Sequence, residues 1–170
     1  MRTMLALGSL ALCATSQTAC LYTDPIVSLE EEKLSPTVGL CCATPALDAK
    51  EVLPAADTTQ LDFDISVIED PNVDDTLRVR FFVDGGNVIY LERTVRPTEP
   101  IALAARPLTG PNAVHLTLPA SELVPGVTHR VEAVISDRGF KSDDTGDVRD
   151  NRDVTDDANG HYLYWEVELQ

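Results

Sequence analysis

From Leu61 to the end of the chain, apolar and polar residues alternate with a period of two. Leu61, Phe63, Ile65 and Val67 are interleaved with Asp62, Asp64 and Ser66. Successive side chains of an extended backbone point to opposite faces, so this stretch reads as a strand with one buried and one wetted side. After the turn EDPNVDD, Leu77, Val79, Phe81 and Val83 repeat the pattern against Arg78, Arg80 and Phe82. Asp84-Gly85-Gly86-Asn87 then signals a tight hairpin that returns through VIYLERTV. The next segment, RPTEPIALAARPLTGP, carries four prolines, and predicts a loop or at most a short edge strand, because proline cannot donate to a sheet ladder. Val114, Leu116 and Leu118 give a further strand. Pro125-Gly126 turns into another at Val131, Ala133 and Ile135. A polar stretch, 137–160, precedes the last, with Leu163, Trp165, Val167 and Leu169 on one face. About seven strands punctuated by turns, with no amphipathic helix, predict an all-β, antiparallel β-sandwich.

The first twenty residues are patterned differently. Arg2 precedes an apolar run from Leu5 to Ala14, and small residues lead to Cys20. That order is the order of an export signal. The run is shorter than the roughly 20 apolar residues that span a bilayer. Gln17-Thr18-Ala19-Cys20 resembles the lipobox of bacterial lipoproteins, in which the signal is cut before a cysteine that carries diacylglycerol. The resemblance implies a signal peptide over 1–19, a lipidated Cys20 and residence in the bacterial cell envelope, most often at the outer membrane. Two other readings stay open: ordinary cleavage after Ala19 with a free Cys20, and a buried N-terminal helix of a cytosolic domain. Residues 20–56 lack sustained periodicity and carry Pro25, Pro36 and Glu30-Glu31-Glu32. They read as an extended tether, with at most one strand near Thr37–Leu40, before a single domain over 57–170.

Within that domain, L-V-P-G-V-T-H-R-V-E-A-V (123–134) resembles the turn into strand F of fibronectin type III domains. Leu123, Pro125, Gly126 and Val131 match, and His129 stands where the family has a tyrosine bonded back to the backbone at the sandwich corner. DP-x-x-DD-x-L-x-V-R-F-F-V-D-G is similar to strands B to C of secreted immunoglobulin-like and PKD-type modules. These resemblances imply an immunoglobulin/fibronectin III-like sandwich with His129 as a structural corner residue. Trp165 is expected in its core. A fold of this kind specifies no activity.

The chain has 28 acidic and 13 basic residues in 170. Cleavage before Cys20 removes Arg2 and no acid, which moves the formal charge from −15 to −16. Such a surface repels nucleic acid and anionic headgroups, so the expected membrane partner is reached through the lipid on Cys20. Beyond Cys20 the only cysteines are Cys41 and Cys42. They close on each other only through a strained eight-membered ring, or else one of them pairs with Cys20.

Nucleophilic chemistry needs a base held beside an activated Ser or Cys, and no motif of that kind is present. His115 alternates outward on its strand and reads as solvated, and His161 begins the last strand. Chemical content concentrates in 137–160, which holds eight aspartates. There Thr155, Asp157 and Asn159, followed by Glu166, fall in the register of an EF-hand calcium loop. Asp70-x-Asn72-x-Asp74 is a second oxygen-rich turn. The plainer expectation is a solvated loop whose arginines offset its aspartates, with no cofactor. Phe82 and Tyr164 share the outward face, either as a binding surface or as cover for a neighbour. The functional expectation is a non-catalytic envelope module that binds another envelope protein. A calcium- or carbohydrate-binding module and an envelope hydrolase are the alternatives.

Overall fold

The computed structural model describes residues 34–47, 50–97, 103–156 and 158–170. The signal sequence, the lipobox and Cys20 lie outside the described residues, as does Asp157. Among the described residues ten strands form: β1 (Ala43–Thr44), β2 (Glu51–Leu53), β3 (Gln60–Ile65), β4 (Val67–Glu69), β5 (Leu77–Val83), β6 (Leu91–Val95), β7 (Ala105–Pro107), β8 (Val114–Pro119), β9 (Thr128–Ser136) and β10 (Gly160–Leu169). A single turn of helix, α1 (Lys141–Thr145), lies between the last two. The protein is all-β.

The strands make a three-stranded sheet, β1-β3-β8, a five-stranded sheet, β2-β10-β9-β5-β6, and the small pair β4-β7. Every pairing is antiparallel except β2 on β10, which is parallel. Alternation decides which side chains are buried. Phe63 and Leu116 from one sheet meet Phe81, Ala133, Trp165 and Val167 from the other in one apolar core. Trp165 sits at its centre, edge-on to Phe63 with ring centroids 5.3 Å apart and stacked on Phe81 at 5.9 Å. Its indole N–H, which burial would otherwise leave unpaired, donates to Pro45 O at 2.7 Å.

The domain begins earlier than the sequence pattern indicates. Thr37 bridges Glu69, β1 pairs with β3, and β2 pairs with β10. Backbone bonds from Ala55 N to Gln170 O (2.6 Å) and from Gln170 N to Leu53 O (2.8 Å) extend that last contact. The second half of the stretch read as a tether is therefore built into the sheets. Strands of two and three residues are too short to show a period.

The strand expected over 61–67 is also divided. At Ser66 the chain leaves β8. Ser66 N donates to Cys42 O, while Leu108 N donates to Ser66 O, both at 2.8 Å. The inward phase shifts there, so that Ile68 is fully buried and Val67 is not. The proline-rich segment contributes one short strand, β7. Asp84 and Gly85 take positive φ, +50° and +70°, and Gly86 N closes a turn on Val83 O at 2.9 Å. The β5–β6 ladder starts only at Phe81–Leu91, however, so the expected tight hairpin is a longer loop whose Val88–Tyr90 stretch is not strand.

Candidate functional site

The outward face of the five-stranded sheet carries Arg78, Arg80 and Phe82 on β5, and the 137–160 segment lies across it. Ser136 starts the departure by donating its hydroxyl to Gly139 O (2.7 Å) and accepting from Gly139 N (3.0 Å). Gly139 has φ +97°, a left-handed conformation that glycine tolerates because it lacks a Cβ. The following residue, Phe140, turns down onto Phe82 and Val134, and these three are buried together with Ile89 and Val154 against them.

Charge completes the attachment. The Arg80 guanidinium lies 4.1 Å from the Phe140 ring centroid. It donates to Asp143 Oδ1 (2.6 Å), Glu92 Oε2 (3.0 Å), Ser142 Oγ (2.8 Å) and Asn151 O (3.1 Å). Arg78 bonds the same two carboxylates, Asp143 and Glu92. Arg152, returning from the segment, bonds Glu132 on β9 and Gly85 O (3.0 Å). Burial alone would raise the Asp143 carboxyl. The Phe140 N–H and the Arg80 and Arg78 guanidiniums outweigh it and hold the group below the usual carboxylate range. The expected solvated loop is instead pinned to the sheet, because its aspartates meet arginines of β5 as well as those of its own run.

The proposed calcium ligands do not converge. Asn159 is engaged with Asp137, donating from its backbone N to Oδ1 at 2.8 Å. Glu166 is exposed and pairs in register with Arg130, while Gly160 pairs with Ser136. Six residues of strand at about 3.3 Å each separate Gly160 from Glu166 by about 20 Å. Thr155 Oγ1 is buried without a hydrogen-bond partner, and Asp157 lies outside the described residues. The last strand, which carries Glu166 away from Gly160 where a calcium loop would fold back on its ligands, is what breaks the register. Among the described residues, no three His, Cys, Asp or Glu side chains gather as a metal site.

In the second oxygen-rich turn the cationic position is already filled. Arg106, fully buried, donates to Asp70 Oδ2 (2.6 Å) and Asn72 O (2.8 Å) and also bonds Asp75 O. Asn72 N closes the turn on Asp70 Oδ1 at 3.0 Å. Burial pushes the Asp70 carboxyl upward, with the Asn72 N–H and Arg106 opposing it. A guanidinium does here what a bound cation does elsewhere, collecting converging oxygens.

His129 is buried and accepts from Val124 N at 2.8 Å through Nε2. Its Nδ1 therefore carries the proton that Asp84 Oδ2 accepts at 2.7 Å. Asp84 Oδ1 also accepts from Arg130 N at 2.9 Å, so one carboxylate ties the hairpin turn to the start of β9. His115 stands on the exposed face of β8. Its Nδ1 is 2.7 Å from Asp64 and its Nε2 is 3.0 Å from Thr117 Oγ1. This row has the order of a catalytic triad, but the Thr117 hydroxyl donates to Asp62 at 2.8 Å. Its proton is thus directed away from the imidazole that would have to accept it. Tyr164 is half exposed, with Arg130 stacked over its ring at 3.8 Å. Phe82 is fully buried beneath Phe140.

Where the pinned segment meets the 84–90 turn, a notch of about 390 Å³ opens, lined by Asn87, Val88, Ile89, Val148 and Asn151. Asn151 Nδ2 donates to Asn87 O at 2.8 Å and locks the two loops together. Val88 and Val148 are 66% and 67% exposed at its rim. A notch lined by two valines, an isoleucine and two asparagines suits an apolar side chain and the peptide that carries it. Sequence reasoning missed Arg80, Phe140 and the notch. The available signal was two arginines on the polar face of a central strand, opposite a run rich in aspartate. No family model matches the chain, and no curated protein matches it in sequence.

Proposed function

We propose that the chain is a lipid-anchored protein of the bacterial cell envelope, most often at the outer membrane, whose domain binds another envelope protein without catalysing a reaction. The observation that carries this reading is the notch, with two exposed valines on loops fixed to a rigid sheet. Loops held by a scaffold are where binding residues collect. Exposed apolar side chains rimmed by polar ones mark protein contacts. The sheet order β1-β3-β8 over β2-β10-β9-β5-β6 supports an immunoglobulin/fibronectin III-like sandwich, and the Val124–His129–Asp84 bonds support His129 as its corner residue. The lipobox-like Gln17-Thr18-Ala19-Cys20 supports the anchor. The filled cationic position at Asp70 and the dispersed Thr155, Asn159 and Glu166 favour this reading over a calcium module.

A photocrosslinking residue placed at Val148 in the native host tests the reading, with Thr117 on the opposite sheet as control. A discrete crosslinked species is expected from position 148 and not from 117, and loss of membrane association in Cys20→Ser. Crosslinking confined to 117, or unchanged partitioning of the Cys20→Ser protein, would sink the corresponding half of the proposal.

A further inference from the structure

We infer that Cys41 and Cys42 form a redox site that closes reversibly into a disulfide between adjacent residues. Neighbouring side chains of an extended chain point apart, but these two lie in a 3-10 turn, Leu40–Cys42, closed by Cys42 N on Gly39 O at 2.9 Å. The turn brings both thiols to one side, over the Cα of Gly39. A side-chain carbon placed on that glycine would stand 3.6 Å from Cys41 Sγ and 3.8 Å from Cys42 Sγ. The sulfurs themselves are 2.8 Å apart, about 0.8 Å beyond the covalent length of roughly 2.05 Å.

The rest of the segment is held still. Cys42 O accepts from Ser66 N (2.8 Å) and Ser66 Oγ (3.2 Å), and Pro45 O holds the Trp165 indole. With the sulfurs already side by side, closure within the segment is favoured over capture of a second thiol from solution.

The chemistry assigns each sulfur a part. Cys41 is exposed and Cys42 half-buried. The more accessible sulfur, Cys41, is the group that attacks first. Its thiolate displaces one thiolate from a small-molecule disulfide such as oxidised glutathione and forms a mixed disulfide. Cys42 then loses its proton to solvent and attacks Cys41 Sγ, expelling the second thiolate. The pair gives up two protons and two electrons, and the reagent becomes two thiols. Adjacent Cα atoms are about 3.8 Å apart across a trans peptide, short of the roughly 4.4–6.8 Å of ordinary disulfides. Strained and exposed disulfides are the readily reduced ones, so the bond is reversible.

Trypsin releases Leu34–Lys50, which contains both cysteines and no other. The folded full-length chain is equilibrated with oxidised and reduced glutathione, quenched in acid, digested and weighed. The expected product is this peptide lighter by two hydrogens, free of glutathione, and able to take two alkyl groups after dithiothreitol. Cys42→Ser should stop at the glutathione adduct on Cys41, and the urea-unfolded chain should accumulate adducts in place of the closed ring. A stable adduct on the folded wild type, a crosslink to Cys13 or Cys20, or an intact dithiol under excess oxidised glutathione would each overturn the inference.

Discussion

Two buried residues show how polar groups are paired inside this protein. Arg106 and Asp70 are each fully buried, a state that costs several kcal/mol per ion unless geometry and further hydrogen bonds offset it. Here the carbonyls of Asn72 and Asp75 supply those bonds. Removing only the cation leaves an uncompensated buried carboxylate, so Arg106→Met should destabilise by about 3–5 kcal/mol in urea unfolding. A loss near zero would mean that Asp70 sheds its charge and that the pair contributes little. His129→Ala removes both the acceptor of Val124 N–H and the donor to Asp84, and should cost about 1–3 kcal/mol. A change below about 0.5 kcal/mol would class His129 with ordinary surface positions. A neutral imidazole offers an acceptor and a donor on opposite edges, which is how His129 reaches both Val124 N and Asp84. Position 129 stood out in the sequence because Leu123, Pro125, Gly126 and Val131 frame it. Arg106 did not, because it lies among four prolines in a segment with no period to read.

At the scale of elements, the 137–160 segment behaves as part of the five-stranded sheet. Its composition alone predicted solvation, since eight aspartates cannot form a core. What that reading could not contain is a cross-segment match: Arg78 and Arg80 lie some sixty positions earlier, and only the folded sheet sets them beneath Asp143. The long strands β5, β9 and β10 were legible because each repeats its alternation over seven or more residues. The pieces β1, β2, β4 and β7 were not, because two or three residues carry no phase. Pinning has a measurable consequence. Lys141 N donates to Asp153 O at 2.7 Å and Gly146 N to Ser142 O at 2.8 Å, so these amides should exchange slowly. Phe140→Ala should remove about 3–5 kcal/mol of packing and bring their exchange close to the unprotected rate while β3 and β8 stay protected. Slow exchange in the variant would show that the ion pairs alone hold the segment. Because about 20 Å of strand separates Gly160 from Glu166, millimolar calcium should leave stability unchanged. A bound site at 100 times its dissociation constant would raise it by about 2.7 kcal/mol.

For the molecule as a whole, an excess of acidic residues makes pH the natural probe of stability. Self-repulsion at a formal charge of −15 weakens as carboxylates take up protons, which favours folding in mild acid, and a raised Asp70 carboxyl acts in the same direction. Groups that titrate lower in the folded state oppose it, Asp143 among them, and two more mark separate pH windows. Burial lowers His161 from its ordinary 6.5. The folded state therefore favours the neutral ring, and the stability this contributes is present above pH 6.5 and lost as pH falls towards the lowered value. At the sheet edge, Lys50 bonds Glu168, and with help from Gln170 and Thr128 it lowers that carboxyl from 4.5 to about 2. A depressed carboxylate contributes stability above its unfolded value, so this share is complete above pH 4.5 and lost between 4.5 and about 2. Lys50 immediately precedes β2, and Glu168 lies opposite Val52 on β10, so the same bond fastens the parallel strand. Thermal midpoints measured from pH 8 to pH 2 should therefore show one falling step below 6.5 and a second below 4.5. Lys50→Met should flatten the lower step and leave the upper one in place. High salt should raise the midpoint near neutrality by screening the surface charge, with little effect on the His161 step, which originates in burial. An unaltered lower step in Lys50→Met would place the acid sensitivity elsewhere, with Asp143 and its two arginines the next pair to test.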